Sequence, residues 1–235
     1  MSKRLKQLKF ESIAGFPNVL ENPDFHHPQL YSNPTTQIDY RGKWATEHFK
    51  NNNPIVLELA CGRGEYTLAL GRLVTDKNFI GVDLKGNRIF QGANKALKEG
   101  LPNVAFLRTR IELIHHFFET GEVDEIWITF PDPFLKPSKS NKRLTSHYFL
   151  GLYAHILKLG GNINLKTDSD LLYNFTVNES ALHPRFEMVW HESDIYGNNK
   201  ADEILQTKTY YEGLHLAKGL TIKFVQLKLK NDSHG

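Results

Sequence analysis

The stretch LELACGRGEYT, residues 57–67, decides the predicted fold. It continues a short apolar run at 55–60 and leads into a candidate helix at 65–74. Gly62 and Gly64 permit a tight turn in which the backbone closely approaches a ligand. A G-x-G pattern alone is weak evidence, because an ordinary turn between a strand and a helix has the same residues. The interpretation therefore depends on the elements around the turn.

Strands and helices alternate along the rest of the chain. Runs rich in apolar and β-branched residues are separated by helical candidates, which implies a parallel sheet covered by helices on both faces. The helix at 146–158 is expected to start at a Thr145/Ser146 cap and to end before Gly160 and Gly161. The predicted strands are 55–60, 78–84, 103–109, 125–131, 162–168, 186–190 and 221–229, and the other predicted helices are 65–74, 86–99, 111–119 and 170–181.

The composition favours one folded, cytoplasmic domain. The chain has 235 residues, 40% of them hydrophobic, which is enough for a packed core. No apolar run approaches the roughly 20 residues that a membrane helix needs, so we expect no membrane partner. A single cysteine, Cys61, excludes an intrachain disulfide and a multi-cysteine zinc site, and we expect no metal. Residues 1–40 are predicted to be a basic, partly irregular N-terminal arm without a secretory signal, and 41–230 a single domain.

Positive charge is clustered rather than abundant. The formal net charge of +3 is too small to demonstrate a polyanionic partner. Two clusters stand out, one at 3–9 and one at 136–143. Such a cluster is more often a solvated face than a nucleic-acid contact, so the clusters acquire meaning only beside a site.

Two acidic residues sharpen the interpretation of the glycine turn. Glu58 lies inside the first strand of the motif, and Asp83 ends the next strand, where Rossmann-like folds hold ribose hydroxyls. A dinucleotide fingerprint would have a third glycine near Leu68. Two acids suit a cationic, hydroxyl-bearing ligand better than a pyrophosphate. The pattern therefore favours S-adenosylmethionine, whose sulfonium and ammonium groups are both positive.

Six stretches between residues 40 and 225 carry a more specific signal. They are VLELACGRGEYTLAL, FIGVDLKGNRI, NVAFLR, ITFPDPFLKPSKSNKRLT, ILKLGGNINLKTDS and TYYEGLHLAKG. In this order they resemble the bacterial tRNA (guanine-N7)-methyltransferase family. The resemblance implies a Rossmann-like class I methyltransferase, an α/β fold with a seven-stranded, mostly parallel sheet whose last strand is antiparallel. It also implies S-adenosyl-L-methionine as the cofactor and tRNA as the partner, with 7-methylguanosine formed at position 46 of the variable loop.

The resemblance also implies roles for individual residues. In the family, the residue after the strand that corresponds to 103–109 is often an acid near the adenine. In this sequence that residue is Arg110. Asp132 matches the acid of the PDP motif, which serves the cofactor end of the site. The implied cofactor-binding residues are Glu58, Gly62, Gly64, Asp83, Arg110 and Asp132, and the implied substrate-binding residues are Lys136, Asp168, Thr209, Tyr210, Tyr211 and Glu212.

The chemistry of guanine N7 makes few demands. N7 carries an in-plane lone pair and no proton, so methylation needs alignment and no general base. Positive charge moves onto the purine, and a carboxylate such as Asp132 is then a candidate catalytic group. The cations Lys136 to Arg143 would meet RNA phosphates beside the site. The alternative interpretation is structural: Asp132 caps its own turn, and Asp168 caps the helix at 170.

Two alternative functions stay open at this level. One is another class I RNA methyltransferase, since PDPF partly resembles the N/D-P-P-Y/F signature of amino-group methylation. The other is an RNA-binding protein with a degenerate cofactor site, for which Arg110 is the best support. The sequence is equally compatible with a monomer and a homodimer.

Overall fold

The computed structural model describes residues 3–231, with the side chains of residues 3, 5 and 6 outside the description. Two compact units divide the chain, Met1–Glu119 and Thr120–Gly235. The described part contains ten strands and six α-helices. None of its helices is long and apolar enough to cross a membrane.

The first unit is built on a six-stranded sheet with the order β3-β2-β1-β6-β5-β4. Strands β4, β5, β6 and β1 run parallel to one another, whereas β2 is antiparallel to both of its neighbours, β1 and β3. The elements of this unit are α1 (Lys3–Ser12), β1 (Val19–Glu21), β2 (Leu30–Asn33), β3 (Thr36–Ile38), β4 (Ile55–Leu59), α2 (Glu65–Leu73), β5 (Asn78–Asp83), α3 (Gly86–Glu99) and β6 (Val104–Arg108).

The central strands of this unit are buried along their whole length. Every residue of β4 and β5 is buried, which explains their continuous apolar runs, since parallel strands are covered on both faces. Helix α3 ends at Gly100, whose left-handed backbone (φ +63°) is the usual reason for glycine at a helix end. The predicted strands and helices between residues 55 and 109 are therefore confirmed to within one or two residues.

The N-terminal arm is more ordered than predicted. Instead of irregular chain it forms α1 and three short strands, and β1 extends the parallel sheet beside β6. Phe10 and Ile13 pack so closely on Gly86 that a Cβ atom there would lie 2.7 Å from each side chain. Glu21 forms an ion pair with Arg108 at 3.0 Å. Residues 1 and 2 of the predicted arm lie outside the described residues.

The second unit contains a four-stranded sheet with the order β7-β8-β10-β9. Strand β8 is parallel to β7, and β10 runs antiparallel to both β8 and β9. An antiparallel last strand was predicted. The elements are β7 (Val123–Thr129), α4 (His147–Ile156), β8 (Leu157–Thr167), α5 (Asp170–Leu182), β9 (Phe186–Glu192), α6 (Tyr210–Ala217) and β10 (Lys223–Leu229).

Several sequence expectations differ from the structure. Residues 111–119 form only a short 3-10 helix, Ile111–His116, instead of an α-helix. Gly160 and Gly161 do not follow α4 but lie within β8, which begins directly after the helix. Ser146 is the N-cap residue of α4, yet its hydroxyl donates to the Asn141 carbonyl; Glu179 instead accepts from the His147 amide at 3.0 Å. Helix α6 was not predicted.

The strand count also differs from the expectation of seven. Seven of the ten described strands, β4 to β10, follow residue 54. The three additional strands belong to the N-terminal arm, where each has only three or four residues. Such short strands leave little periodicity in the sequence, which is why the arm was expected to be irregular.

Candidate cofactor and substrate sites

The glycine turn after β4 has the backbone that its sequence predicts. Gly62 and Gly64 both have left-handed backbone, at φ +58° and +66°. Gly64 is the N-cap residue of helix α2 and has no side chain that could cap the helix. Glu58, 4% exposed, replaces that cap because its carboxylate accepts hydrogen bonds from the Thr67 amide at 2.8 Å and from the Thr67 hydroxyl. Glu58 therefore fixes the start of the helix behind the turn.

Asp83 joins the end of β5 to the glycine turn. One carboxylate oxygen accepts from the Gly62 amide at 2.9 Å, and the other accepts from the Lys85 amide at 2.7 Å. Strands β4 and β5 are parallel, with Leu59 opposite Val82, so their carboxyl ends are adjacent. The structure thus brings Gly62 and Asp83 together at one edge of the sheet, and their role in binding a cofactor stays a prediction. Each oxygen of Asp83 keeps a second lone-pair direction for a further donor.

Three glycines enclose the ring of Phe106 beneath this turn. A Cβ atom on Gly81 would lie 2.9 Å from the Phe106 ring and 2.9 Å from Cys61 Sγ. One on Gly92 would lie 2.7 Å from the same ring and 2.7 Å from the Arg63 carbonyl oxygen, and one on Gly64 would also meet the ring. The backbone around the turn can therefore approach Phe106 only because these positions lack side chains.

Cys61 lies within the turn and is 7% exposed. Burial raises the pKa of its thiol well above the usual range, and the nearby carboxylates of Glu58 and Asp83 raise it further. A thiol with a raised pKa stays protonated and is a poor nucleophile. Its sulfur packs against Gly81, so we assign the cysteine to the packing of the turn.

Arg110 follows β6 at the same edge of the sheet, where Asp83 pairs with Arg108. Its side chain is exposed, and its guanidinium carbon lies 4.6 Å from the centre of the Phe25 ring. The cation is thus engaged with the N-terminal arm through a cation–π contact. A role of Arg110 in binding the cofactor stays a prediction.

The residues of this edge fit S-adenosylmethionine. Asp83 has remaining acceptor capacity for ribose hydroxyls, and the backbone at Gly62 and Gly64 carries no side chains that would keep a ligand away. The carboxylates of Glu58 and Asp83 give this edge a negative character that suits the positive ammonium and sulfonium groups. The two carboxylates suit such a positively charged ligand better than they suit a pyrophosphate.

In the second unit, Asp132 stands at the tip of a strained turn after β7. Its side chain is exposed, and one oxygen accepts from the Phe134 amide at 2.9 Å, which confirms the turn-capping interpretation. Phe130 and Phe134 have left-handed backbone, at φ +49° and +42°. Non-glycine residues rarely adopt this conformation. The turn is therefore held by its surroundings, while the Asp132 carboxylate stays accessible.

The basic loop after this turn presents three of its four cations. Lys136, Lys139 and Lys142 are exposed around the 3-10 helix Pro137–Lys142 and make no side-chain ion pair or hydrogen bond within residues 3–231. Arg143 is different, because it is only 6% exposed and donates to the Pro133 and Phe134 carbonyls at 3.0 Å each. This burial contradicts the expectation that Arg143 meets RNA phosphates.

Asp168 follows β8, the strand beside β7. Its carboxylate lies 3.3 Å from His215 Nδ1, and both side chains are partly exposed. The expectation that Asp168 caps the next helix is wrong, because the adjacent Ser169 is the N-cap of α5 and accepts from the Leu172 amide at 3.2 Å. Lys223 donates to the Asp168 carbonyl at 3.1 Å and so fixes the backbone there. The Asp168 carboxylate faces α6 instead.

The segment 209–212 forms the first turn of α6. Thr209 and Glu212 make a reciprocal capping box, in which each side chain binds the other residue's amide. Tyr210 and Tyr211 are 59% and 52% exposed, and their ring centres are 5.7 Å apart. Glu212 is fully buried. The segment therefore exposes two aromatic side chains on a helix turn whose backbone is held by the buried Glu212.

Sequence reasoning missed Lys166, which organises this segment. Its side chain is fully buried, and its ammonium lies 2.8 Å from Glu212 Oε1. It also donates to the Leu205 carbonyl at 2.6 Å and the Thr207 carbonyl at 3.0 Å. A lysine inside the run NINLKTD was the available signal, because a charge in a buried strand needs a buried partner.

Comparison with solved structures agrees with this architecture. The 16S rRNA methyltransferase KamB matches with a TM-score of 0.59 at 14% identity, covering 84% of this chain and 97% of that one. A 16S rRNA (adenine(1408)-N(1))-methyltransferase with its cosubstrate SAM matches with a TM-score of 0.55 at 12% identity, covering 85% and 96%. The fold is that of a Rossmann-like class I methyltransferase.

Comparison of sequences narrows the class. The family model Methyltransf_4, described as "Putative methyltransferase", matches residues 52–225. The tRNA (guanine-N(7)-)-methyltransferase of Porphyromonas gingivalis is 50% identical over 217 residues, covering 91% of this chain and 85% of the relative. That of Christiangramia forsetii is 43% identical over 232 residues, covering 98% and 100%. The chain belongs to the tRNA (guanine-N(7)-)-methyltransferase family.

Proposed function

We propose that this protein transfers the methyl group of S-adenosyl-L-methionine to N7 of guanosine 46 in the variable loop of tRNA. The observation that carries the proposal is the hydrogen bond from the Gly62 amide to Asp83, which closes an acid-lined glycine turn. The turn occurs in a chain whose relatives, at up to 50% identity, are tRNA (guanine-N(7)-)-methyltransferases.

The proposed cofactor site uses the edge formed by the ends of β4, β5 and β6. Asp83 accepts from ribose hydroxyls with the lone pairs that the amides of Gly62 and Lys85 leave over. Glu58 supplies negative charge and holds α2 in place. When bound, S-adenosylmethionine supplies a methyl group made electrophilic by its sulfonium. The proposed cofactor residues of this edge are Glu58, Gly62, Gly64, Asp83 and Arg110, and Asp132 is proposed as a further cofactor-binding residue from the family resemblance alone.

Asp132 is the proposed catalytic group. Guanine N7 has a free lone pair, so the protein need not remove a proton and no buried base is required. What changes during transfer is the charge of the purine, which becomes positive. The exposed carboxylate of Asp132, fixed by the Phe134 amide, can stabilise that charge. This role needs a negative group of fixed orientation, and the capped turn provides one.

The proposed tRNA contacts lie in the second unit. The side chains of Lys136, Lys139 and Lys142 are exposed, and we propose that they contact phosphates of the tRNA backbone. Tyr210 and Tyr211 are exposed aromatic side chains suited to stacking on an unpaired base. Asp168 is partly exposed and can accept from guanine N–H groups. Thr209 and Glu212 contribute indirectly, through the capping box that presents the two tyrosines.

We assign the methyltransferase domain to residues 41–230, with 1–40 as an N-terminal arm. The family match to residues 52–225 supports this extent. The seven strands β4 to β10 are the proposed catalytic core, and β1 to β3 are an addition from the arm. Since the substrate is tRNA, we place the reaction in the cytoplasm. A monomer and a homodimer both satisfy the proposal, because each chain carries every residue named.

The deciding experiment is nucleoside analysis of modified tRNA. Unmodified tRNA is incubated with the protein and methyl-labelled S-adenosylmethionine, digested, and analysed by mass spectrometry. We expect labelled 7-methylguanosine from a tRNA with guanosine at position 46 and none from the same tRNA with adenosine there. Label in adenosine or cytidine would indicate another class I methyltransferase. Tight tRNA binding without transferred label would indicate an RNA-binding protein.

A further inference from the structure

We infer that Arg143 is a positioning residue for the Asp132 turn and not a contact for tRNA phosphates. The inference rests on the proposed function for its kinetic consequence, whereas its structural consequence can be tested separately. Its basis is one peptide unit, the one between Pro133 and Phe134, which is held at both ends.

The two ends of that peptide unit bind different partners. The Pro133 carbonyl accepts from Arg143 Nε at 3.0 Å, while the Phe134 amide donates to Asp132 Oδ1 at 2.9 Å. A second guanidinium nitrogen of Arg143 donates to the next carbonyl, that of Phe134, at 3.0 Å. Arg143 is thus connected to the Asp132 carboxylate through a single rigid peptide plane. A movement of the guanidinium must be transmitted to Asp132.

The backbone of this turn requires such an external constraint. Phe130 and Phe134 flank the turn with left-handed φ values of +49° and +42°. Such conformations persist only where the surrounding structure determines them. The Phe130 amide is fixed by the Lys166 carbonyl at 2.8 Å, and Phe134 is fixed by Asp132 and Arg143. For Phe134, Arg143 supplies the fixing group that comes from outside the turn.

The surroundings of Arg143 suit a positioning role and not a phosphate contact. The side chain is 6% exposed, and its guanidinium carbon lies 4.4 Å from the centre of the Phe175 ring on α5. Within residues 3–231 it has no carboxylate partner, so its charge is met by two carbonyls and an aromatic face. A lysine cannot reproduce this, because it lacks the planar fork that reaches two consecutive carbonyls.

The first arm of the test separates charge from geometry through the salt dependence of tRNA binding. Arg143→Lys keeps the charge and loses the fork, whereas Arg143→Met loses both. Lys142→Met is the matched control, because this neighbour is an exposed cation. We expect Lys142→Met to reduce the log–log salt slope by about 0.7–0.9 and both Arg143 variants to retain the wild-type slope.

The second arm measures the single-turnover rate at saturating tRNA and cofactor. We expect Arg143→Lys to slow methyl transfer by on the order of 10- to 100-fold, because a misplaced reacting group costs that much. If Arg143 acts through Asp132, the double variant Arg143→Lys/Asp132→Asn is no slower than Asp132→Asn alone. A residue that only stabilised the fold would slow the two backgrounds by the same factor.

The third arm needs no activity and therefore separates this inference from the proposed function. In urea unfolding, wild type, Arg143→Lys, Asp132→Ala and Arg143→Lys/Asp132→Ala form a double-mutant cycle, because alanine, unlike asparagine, removes the acceptor of the Phe134 amide. Because both side chains fix one peptide unit, we expect the unfolding equilibrium constants to depart from additivity by about threefold or more. Additive rates and additive stabilities would overturn the inference. So would a lowered salt slope in Arg143→Met with a wild-type rate in Arg143→Lys, since that result describes a phosphate contact.

Discussion

The ammonium of Lys166 lies 2.8 Å from the carboxylate of Glu212, and both side chains are fully buried. The pair connects strand β8 to the first turn of α6. Burial lowers the pKa of Lys166, and the charge of Glu212 opposes that effect. Tyr196 adds a hydroxyl that donates to the same Glu212 oxygen at 2.6 Å. The helix turn that carries Tyr210 and Tyr211, the two tyrosines that we assign to tRNA, is therefore held by the buried network of Lys166, Glu212 and Tyr196.

The first prediction concerns this buried pair. We expect Lys166→Met to lower the free energy of unfolding by about 3–5 kcal/mol, because it leaves the Glu212 charge buried without its cation. Glu212→Gln added to Lys166→Met removes that charge and keeps the capping box, since glutamine serves in the same motif. We expect the double variant to recover part of the loss in urea unfolding. A double variant less stable than Lys166→Met would contradict the account.

The second prediction concerns cofactor binding. We expect Asp83→Asn to weaken S-adenosylmethionine binding by about 10- to 150-fold, equivalent to the 1.5–3 kcal/mol of a hydrogen bond to a charged group. Glu58→Ala should weaken binding and also lower the free energy of unfolding, because it removes the acceptor of the Thr67 amide. Calorimetry and urea unfolding measure the two effects. Thr67→Val is the control, since it removes one contact of Glu58 and leaves the Glu58 charge. Wild-type affinity in both acid variants would refute the cofactor site.

The third prediction concerns the basic loop. Replacing Lys136, Lys139 and Lys142 by serine should reduce the log–log salt slope of tRNA binding by about 2–3 in total. The cofactor affinity should stay at the wild-type value. A control with the same loss of charge replaces Lys77, Lys95 and Lys98, which no motif assigns to RNA. Equal salt slopes in the two triple variants would show that the lysines of the basic loop are solvated and do not contact tRNA phosphates.

The fourth prediction concerns Asp132. Asparagine keeps an acceptor for the Phe134 amide and loses the negative charge. We therefore expect Asp132→Asn to slow single-turnover methyl transfer by about 100-fold while tRNA affinity changes little. A loss confined to cofactor affinity would make Asp132 a cofactor ligand only. A wild-type rate with wild-type affinities would show that Asp132 has only the structural role of capping its turn.

The fifth prediction concerns pH and His183, which is 4% exposed. Burial lowers its pKa to about 4, helped by the charges of His147, Arg185 and Lys230. The ordinary pKa of histidine is about 6.5. Between pH 6.5 and 4, His183 is therefore protonated in the unfolded chain and neutral in the folded chain. The free energy of unfolding should therefore fall as the pH falls through this window, by up to about 1.4 kcal/mol per pH unit.

His183→Asn isolates this contribution. Because His48, whose pKa burial also lowers to about 4, is present in both proteins, it cancels in the difference between wild type and variant. The difference should be constant above pH 6.5 and should shrink as the pH falls towards 4. Urea unfolding at half-unit pH intervals measures it. A pH-independent difference would show that His183 is not kept neutral by the fold.

The sequence predicted the parallel strands and most of the helices well. Their apolar runs are long and uninterrupted, as in β5, so local pattern and tertiary burial agree. The helix expected at 111–119 shortened to a 3-10 helix, although its apolar spacing was helical. In the N-terminal arm, β1 has only three residues and exists because β6 offers an edge, which no local pattern encodes.

The candidate site was predictable where a motif fixes the backbone. The pairing of Gly62 with Asp83 follows from two parallel strands that end together. The roles of Arg143 and Lys166 were not predictable in the same way. The sequence does not show whether the side chain of an arginine or a lysine is exposed to solvent or buried against protein carbonyls. Their burial depends on residues 9 to 46 positions away, such as Phe134 and Glu212.

The enclosure of Phe106 by glycines restricts how this family member can diverge. Alanine at Gly81 would need a smaller side chain at position 106 and an adjustment of Cys61, so acceptable changes there must occur together. At Gly92 a smaller residue 106 would not suffice, because the Arg63 carbonyl is backbone and stays 2.7 Å away. Gly64 adds a left-handed conformation that disfavours any side chain. Substitution at position 106 thus opens a compensatory route for one of the three glycines and leaves the other two invariant.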